Sequence, residues 1–406
     1  MEAKNESEKN IIRLGLVSMF NDLGSETISR LIPFYLSSVL GAPMSVVGLV
    51  EGVADATATL LKPLFGRLSD RIHLRKPFVV LGYGLSALAR PLLAFAGAWP
   101  LVAALRFSER VGKGIRTAPR DALIADSSSA GSRGRHFGIN RSLDTLGALL
   151  GVGGFGAWIW FRGDATLTAG TWKVLALTCG VPGLIALALV VGGVIEVGPR
   201  VAGASSRPSG DLERTEKFTP TLKRYIMIVA LFGLANSSDA FILLKAKELG
   251  YSLVETLGMV ALLNLVSAMT AIPAAALSDR MGRRALIATG WVIYAITYGL
   301  IGWGVLEGHP VWFAATLALY GLFYGFTEGV EKAWIADLAP VSERGRAYGV
   351  FGFVLGAVAL PASLVFGWAW DHFGSSVPFL GCAGIALVAA GVLVVGMPKT
   401  AKPLPR

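Results

Sequence analysis

The sequence predicts an all-α membrane protein of about twelve transmembrane helices in two six-helix bundles. Three observations carry this expectation. Apolar runs long enough to cross a bilayer recur along the whole chain, basic residues crowd every second loop, and two loop motifs return in the second half.

The apolar runs dominate the composition. Of 406 residues, 53% are hydrophobic and only 16% charged, and the mean hydropathy is +0.60. A soluble domain of this length needs a charged surface over its core, and too few charges are present to make one. The 50 glycines agree with a bundle in lipid, where small residues let helix backbones approach closely. The formal charge of +10 would raise nucleic acid as a partner in a soluble protein. Here the basic residues sit in short loops between apolar runs, which points to membrane orientation instead. Cys179 and Cys382 both lie inside apolar runs, so neither a disulfide framework nor a zinc site is expected. Met1–Asn10 is polar and charged, so no signal peptide is expected and the first apolar run stays in the protein.

In lipid every backbone polar group must be satisfied within the segment, so the runs are helices. Spans are expected near 12–39, 45–66, 78–96, 99–125, 137–160 and 172–195, then near 224–245, 253–277, 285–305, 311–337, 346–369 and 376–396. One set of loops holds Arg67, Arg71, Arg75 and Lys76, then Arg133 and Arg135, then Arg280, Arg283 and Arg284, then Arg344 and Arg346. The turns near Gly41–Pro43, Gly97–Pro100 and Gly308–Pro310 carry no Lys or Arg, and the exceptions are chiefly Arg162, Lys173 and Lys247. The basic loops, and both termini with them, are therefore expected on the cytoplasmic side of an inner membrane. Val197–Thr221 is rich in Pro, Ser, Arg and Gly and has no apolar periodicity. It divides the chain into a first bundle at 12–196, a cytoplasmic linker at 197–221 and a second bundle at 222–397.

The halves repeat. Leu68-Ser69-Asp70-Arg71 returns as Leu277-Ser278-Asp279-Arg280. Ile124-Ala125-Asp126, with Arg133-Gly134-Arg135 and Gly138 after it, returns as Ile335-Ala336-Asp337, Arg344-Gly345-Arg346 and Gly349. Parallel repeats of six helices are the layout of one large transporter class.

At these loops the chain resembles the major facilitator superfamily, and the resemblance covers essentially its whole length. The superfamily's loop between helices two and three reads roughly G-x-L-x-D-R-x-G-R-K. Gly66, Leu68, Asp70, Arg71, Arg75 and Lys76 match it, with His73 at the second glycine and Leu74 as an extra residue. The second copy has Leu277, Asp279, Arg280, Gly282, Arg283 and Arg284, with Ala275 at the first glycine. The resemblance implies the major facilitator fold and a gating role for Gly66, Asp70, Arg71, Asp279, Arg280, Gly282 and Arg283: a carboxylate at a helix end among basic residues can hold the cytoplasmic side closed. A positive-inside turn explains one copy equally well, and two copies at matching places favour the family. Gly147, Gly151, Gly153 and Gly154 are similar to a glycine-rich exporter motif of the fifth helix, but Val152 stands where that motif has proline. Close helix packing is the better account of them.

Ionisable residues inside the spans are the best functional evidence, because charge in lipid is costly and must face a cavity or a partner. Asp22, Glu26 and Arg30 share one face of the first helix, Glu51 and Asp55 lie four apart on the second, and Asp144 is on the fifth. The fourth helix carries a basic stripe, Arg106, Arg110, Lys113, Arg116 and Arg120, with Glu109 and Asp121 beside it. Arg106 and Glu109 occupy the places of an R-x-x-Q motif of family exporters, and the resemblance associates that arginine with proton coupling. Arg116 and Arg120 are expected to reach the cytoplasmic headgroups. Two readings stay open for Arg106, Arg110 and Lys113: pairing with Asp22, Glu26, Glu51 and Asp55, or binding a transported anion. In the second half the candidates are Asp239, Tyr320, Tyr324 and Glu328, with Glu331 and Lys332 at the places of Arg120 and Asp121.

No phosphate-cradling G-x-x-x-x-G-K-[ST], metal-hydrolase histidine spacing or nucleophile elbow occurs, so neither an enzyme nor a cofactor or metal requirement is expected. The expected function is secondary active transport of a small solute, anionic on one reading, by alternating access and driven by protons. Its partners are that solute, protons and the lipid bilayer, with no nucleic acid and the chain acting as a monomer. The coupling carboxylates are sought first among Asp22, Glu26 and Glu109, then Asp239 and Glu328. Rival readings are drug efflux, transport of a metal or metal chelate through Asp22, Glu26 and Asp239, and a non-transporting sensor or scaffold on the same fold.

Overall fold

The computed structural model describes residues 2–128, 133–163, 167–197, 218–339 and 344–398. The helices are α1 (Glu2–Phe34), α2 (Met44–Ile72), α3 (Lys76–Leu92), α4 (Trp99–Ser127), α5 (Arg133–Arg162) and α6 (Ala169–Gly193). They continue as α7 (Pro220–Ala235), α8 (Ala240–Glu248), α9 (Leu253–Met281), α10 (Arg283–Gly302), α11 (Pro310–Leu338), α12 (Arg344–Phe373) and α13 (Ser376–Gly396). A π-turn, Tyr35–Val39, extends α1, and a 3-10 turn, Leu93–Phe95, extends α3. The segments α7 and α8 share one membrane span, which gives twelve. Ten spans among the described residues are long and apolar enough to cross a bilayer. The other two, α1 and α4, carry the ionisable residues that lower their hydropathy.

Two units form. The first comprises Met1–Gly41 and Thr57–Thr215, the second Ala42–Ala56 and Glu216–Arg406. The opening turns of α2, with Glu51 and Asp55, therefore group with the second unit and its remainder with the first. The linker expected at 197–221 falls outside the described residues over 198–217.

In the first unit α1 packs on α5 and α6, and α3 packs on α4 and α6. Glycine sets two of these seams. A Cβ on Gly147 would stand 2.2 Å from the Met19 carbonyl oxygen, and one on Gly151 2.0 Å from that of Leu23. Gly82 and Gly112 face each other across α3 and α4, each Cβ position 2.5 Å from the other's carbonyl oxygen. Leu14, Tyr83, Leu123 and Val190 join the four helices α1, α3, α4 and α6 in one apolar core.

In the second unit α9 packs on α11, α10 on α11 and α13, and α7 on α12 and α13. Its core is aromatic: Phe232 stacks on Trp291 with centroids 4.5 Å apart, and Tyr294 on Tyr298 at 4.1 Å. Asp371 at the end of α12 accepts the Met44 and Ser45 amides at 2.7 Å each, capping the start of α2.

The sequence predicts the seventh span as one run, and the structure breaks it. After Ala235 the chain leaves the helix through Asn236, Ser237 and Ser238, and α8 starts past Asp239. Irregular backbone at this depth is tolerated only where other groups satisfy it. The Tyr294 hydroxyl donates to the Ala235 carbonyl at 2.6 Å, and the Ser238 amide to the Ser363 hydroxyl at 3.2 Å.

The loop motifs differ at one backbone position with a physical cause. Gly282 has φ +91°, and His73 at the matching place has φ +57°, the one non-glycine residue in the left-handed region among those described. A side chain is disfavoured there by roughly 1–2 kcal/mol, against about 0.5–1 kcal/mol of extra chain entropy for glycine. His73→Gly is expected to raise stability by up to about 1 kcal/mol, read as a higher melting temperature of the purified protein in detergent. A lower melting temperature would show that the imidazole itself holds the loop.

Candidate functional site

The basic stripe of α4 turns inward. Arg106 is 1% exposed and Glu109 4%, and the Arg106 Nη1 donates to Glu109 Oε2 at 2.9 Å and to Ser29 Oγ at 2.7 Å. Arg110 Nε lies 3.9 Å from Glu109 Oε2. A third guanidinium arrives from α3: Arg90, fully buried, places Nη2 3.9 Å from Glu109 Oε1 and donates to Asn21 Oδ1 at 2.7 Å. Glu109 is thus the hub of three arginines. Sequence reasoning treated it as one candidate among several and passed over Arg90. The signal was present, since Arg90 is a lone cation in an apolar run.

The remaining candidates of the first unit lie around this hub. Asp22 is half-buried and accepts from Asn21 Nδ2 at 2.8 Å and Ser25 Oγ at 3.3 Å. Glu26, also half-buried, sits in the field of Lys113, Arg30 and Arg110. Arg116 and Arg120 do not reach outward to headgroups as expected. Arg116 donates to Ser86 Oγ at 2.5 Å with its guanidinium 4.6 Å from the Tyr83 ring centre, and Arg120 donates to Ser18 Oγ at 2.9 Å and meets Asp121 at 3.0 Å. Serine hydroxyls and a tyrosine face on α1 and α3 offer these cations a polar lining, which removes the reason to snorkel.

In the second unit Asp239 is the centre. Tyr320 donates to its Oδ1 at 2.9 Å and Tyr324 to both oxygens at 3.0 Å. The two tyrosines, a turn apart on α11, share a face as expected, but Glu328 does not join them: it is exposed and pairs with Lys332 at 3.2 Å. Glu331 instead accepts from Trp291 Nε1 at 3.2 Å.

The repeated loop motifs find each other within each unit. In the first, Arg75 meets Asp70 at 2.5 Å, Ser69 at 2.9 Å and Asp126 at 3.6 Å. In the second, Arg283 bonds Ser278 and meets Asp337 at 3.2 Å. The two sequence blocks noted separately are therefore two sides of one clasp, built twice. Gly66 permits the approach of α2 to α4, its Cβ position 3.2 Å from that of Ala118. Arg71 and Arg280 are exposed. The side chains of Asp279, Arg133, Arg135 and Arg344 lie outside the described residues. Glu196, the last residue of the expected first bundle and not singled out in the sequence, accepts the Arg75 and Lys76 amides at 2.9 and 2.7 Å and caps α3.

Two repeated helical units, with ionisable groups turned into each rather than toward lipid, are the build of a secondary transporter. Comparison with known proteins agrees. A family model described as Major Facilitator Superfamily matches residues 14–327 and 226–406. An uncharacterized MFS-type transporter of Methanocaldococcus jannaschii is 32% identical over 405 residues, 97% of this chain and 96% of that protein. Among solved structures, the nucleoside transporter NupG aligns with a TM-score of 0.75 at 12% identity, covering 95% of this chain and 98% of that one. A D-xylose-proton symporter aligns at 0.74 and 17% identity, covering 97% and 98%. The chain belongs to the major facilitator superfamily and is a multi-pass membrane transporter.

Proposed function

We propose that the protein is a proton-coupled secondary transporter of a small anionic solute, working as a monomer in the inner membrane by alternating access. The observation that carries this reading is the meeting of Arg90, Arg106 and Arg110 on the single carboxylate of Glu109, buried inside one unit. Guanidinium groups in lipid-embedded helices are held where anions are handled, and their planar donors suit carboxylate or phosphate oxygens. Asp22, Glu26 and Glu109 are the proton-carrying carboxylates on this reading, with Asp239 and Glu328 in reserve. Lys113 and Tyr324 belong with the solute-binding groups. The structural likeness to a D-xylose-proton symporter supports proton coupling as a mechanism available to this fold.

On this reading the loop motifs, Gly66, Asp70 and Arg71 with their counterparts Asp279, Arg280, Gly282 and Arg283, serve as cytoplasmic gates. Asp70→Asn removes a charge from the Arg75 clasp and is expected to slow transport while leaving insertion intact. Uptake into proteoliposomes across a panel of organic anions, sugars and nucleosides, with and without an inward proton gradient, tests the reading. Accumulation of an anion that collapses when the gradient is dissipated supports it, and gradient-independent uptake of a neutral solute ends it. Topology is checked separately: tags at Ser206 and the carboxy terminus should be shielded in intact cells, and one at Gly308 accessible.

A further inference from the structure

Glu109 does not saturate the arginines around it. Among the described residues its carboxylate accepts one hydrogen bond, from Arg106 at 2.9 Å, and its contacts to Arg90 and Arg110 are both 3.9 Å, beyond hydrogen-bond range. None of the three is the paired fork that a guanidinium forms with a carboxylate. Arg90 Nε and Arg110 Nε are buried donors with no hydrogen-bond partner among the described residues, on side chains whose residues are 0% and 9% exposed. Buried N–H groups are nearly always matched in folded proteins, so unmet donors on two arginines of one cluster mark a place built for further acceptor oxygens. Asn21 holds Arg90 and Ser29 holds Arg106, which fixes both forks in position before any ligand arrives.

We propose that Glu109 is a tethered stand-in for the substrate's own anionic group, and that the arginine cluster takes a carboxylate. The incoming carboxylate uses the donors that Glu109 leaves unmet and competes with it for Arg106. Because Glu109 sits on the same helix as Arg106 and Arg110, it faces them at high effective concentration whenever the site is empty. It keeps the buried cations from standing without an anion between transport events, and it sets how tightly a carboxylate must bind to enter. This assignment rests on the anionic reading of the function and adds to it a ligand class and a role for one residue: Glu109 weakens substrate binding, where a simple ligand-binding residue would strengthen it.

The purified full chain in detergent tests this without a known substrate. Thermal unfolding is followed against acetate, lactate, benzoate and inorganic phosphate, with chloride at matched ionic strength as the reference. At least one monocarboxylate is expected to stabilise the wild type, and Glu109→Gln, which keeps the side chain's size and one acceptor oxygen, is expected to lower the concentration needed by about tenfold or more. Glu109→Asp pulls the carboxylate back from Arg106 and is expected to shift the response in the same direction by less, which covers the case of a poorly folded glutamine variant. A monocarboxylate response that Glu109→Gln leaves unchanged or weakens overturns the stand-in role while the anionic reading survives. Stabilisation by phosphate alone overturns the carboxylate assignment. No response to any of the four in either protein removes both readings.

Discussion

Replacing Arg90 by leucine is expected to cost about 3–5 kcal/mol and to lower sharply the yield of monodisperse protein in detergent. Arg90 is fully buried and tied to Asn21 through both its side-chain and main-chain oxygens, at 2.7 and 3.3 Å. Its guanidinium also lies against Glu109, and α6 makes room for it at Gly183, where an added Cβ would stand 2.9 Å from Arg90 Nη1. Leucine leaves Asn21 Oδ1 and part of the Glu109 charge without their donor in a place water does not reach readily. Arg90→Lys keeps the charge and loses the fork, so it should fall between leucine and wild type. The paired change Arg90→Leu with Glu109→Gln should recover part of the loss, because it removes the carboxylate as well. Melting curves of the four proteins decide it, and a leucine variant that melts with the wild type refutes the structural part of Arg90.

Gly151→Val is expected to cost about 3 kcal/mol by forcing α1 and α5 apart. The new Cβ would lie 2.0 Å from the Leu23 carbonyl oxygen and 2.7 Å from Thr27 Oγ1, and the nearer of these is main chain that no rotamer can move. Gly153→Val on the same helix is the control: nothing lies within 4 Å of its Cβ position, so little change is expected. Equal melting temperatures for the two variants would show that the α1–α5 seam has slack that the close approach does not reveal.

These two glycines also show what was legible in the sequence. Gly147, Gly151, Gly153 and Gly154 were read as packing residues, and the first two do pack on α1, while Gly153 and Gly154 face open space. The spacing alone could not separate them, since it says which residues share a helix and not where the neighbouring helix lies. The spans themselves were visible because lipid demands long apolar runs, and the repeat was visible because Leu68–Arg71 and Leu277–Arg280 are identical strings. Hidden were the things decided by side-chain direction. Arg116 turns to Ser86 and Tyr83, Tyr320 and Tyr324 turn to Asp239 and away from Glu328, and Asp126 becomes the partner of Arg75. The break after Ala235 left only a polar tetrad, Asn236-Ser237-Ser238-Asp239, as its trace, and a hydropathy window averages such a tetrad away.

That break bears on how the chain is made. At 1.5 Å per residue, α7 rises about 24 Å, short of the roughly 30 Å hydrocarbon layer, so Asp239 enters the bilayer as part of the seventh span. Its tyrosine partners lie 81 and 85 residues later in the chain and do not yet exist when it leaves the ribosome. A carboxylate deep in a span opposes insertion by roughly 2.5–3.5 kcal/mol on the translocon scale, which the apolar residues on either side of it must outweigh. In the folded unit α11 supplies the two hydroxyl donors, so the tolerance of that carboxylate in the seventh span depends on residues from a later part of the chain.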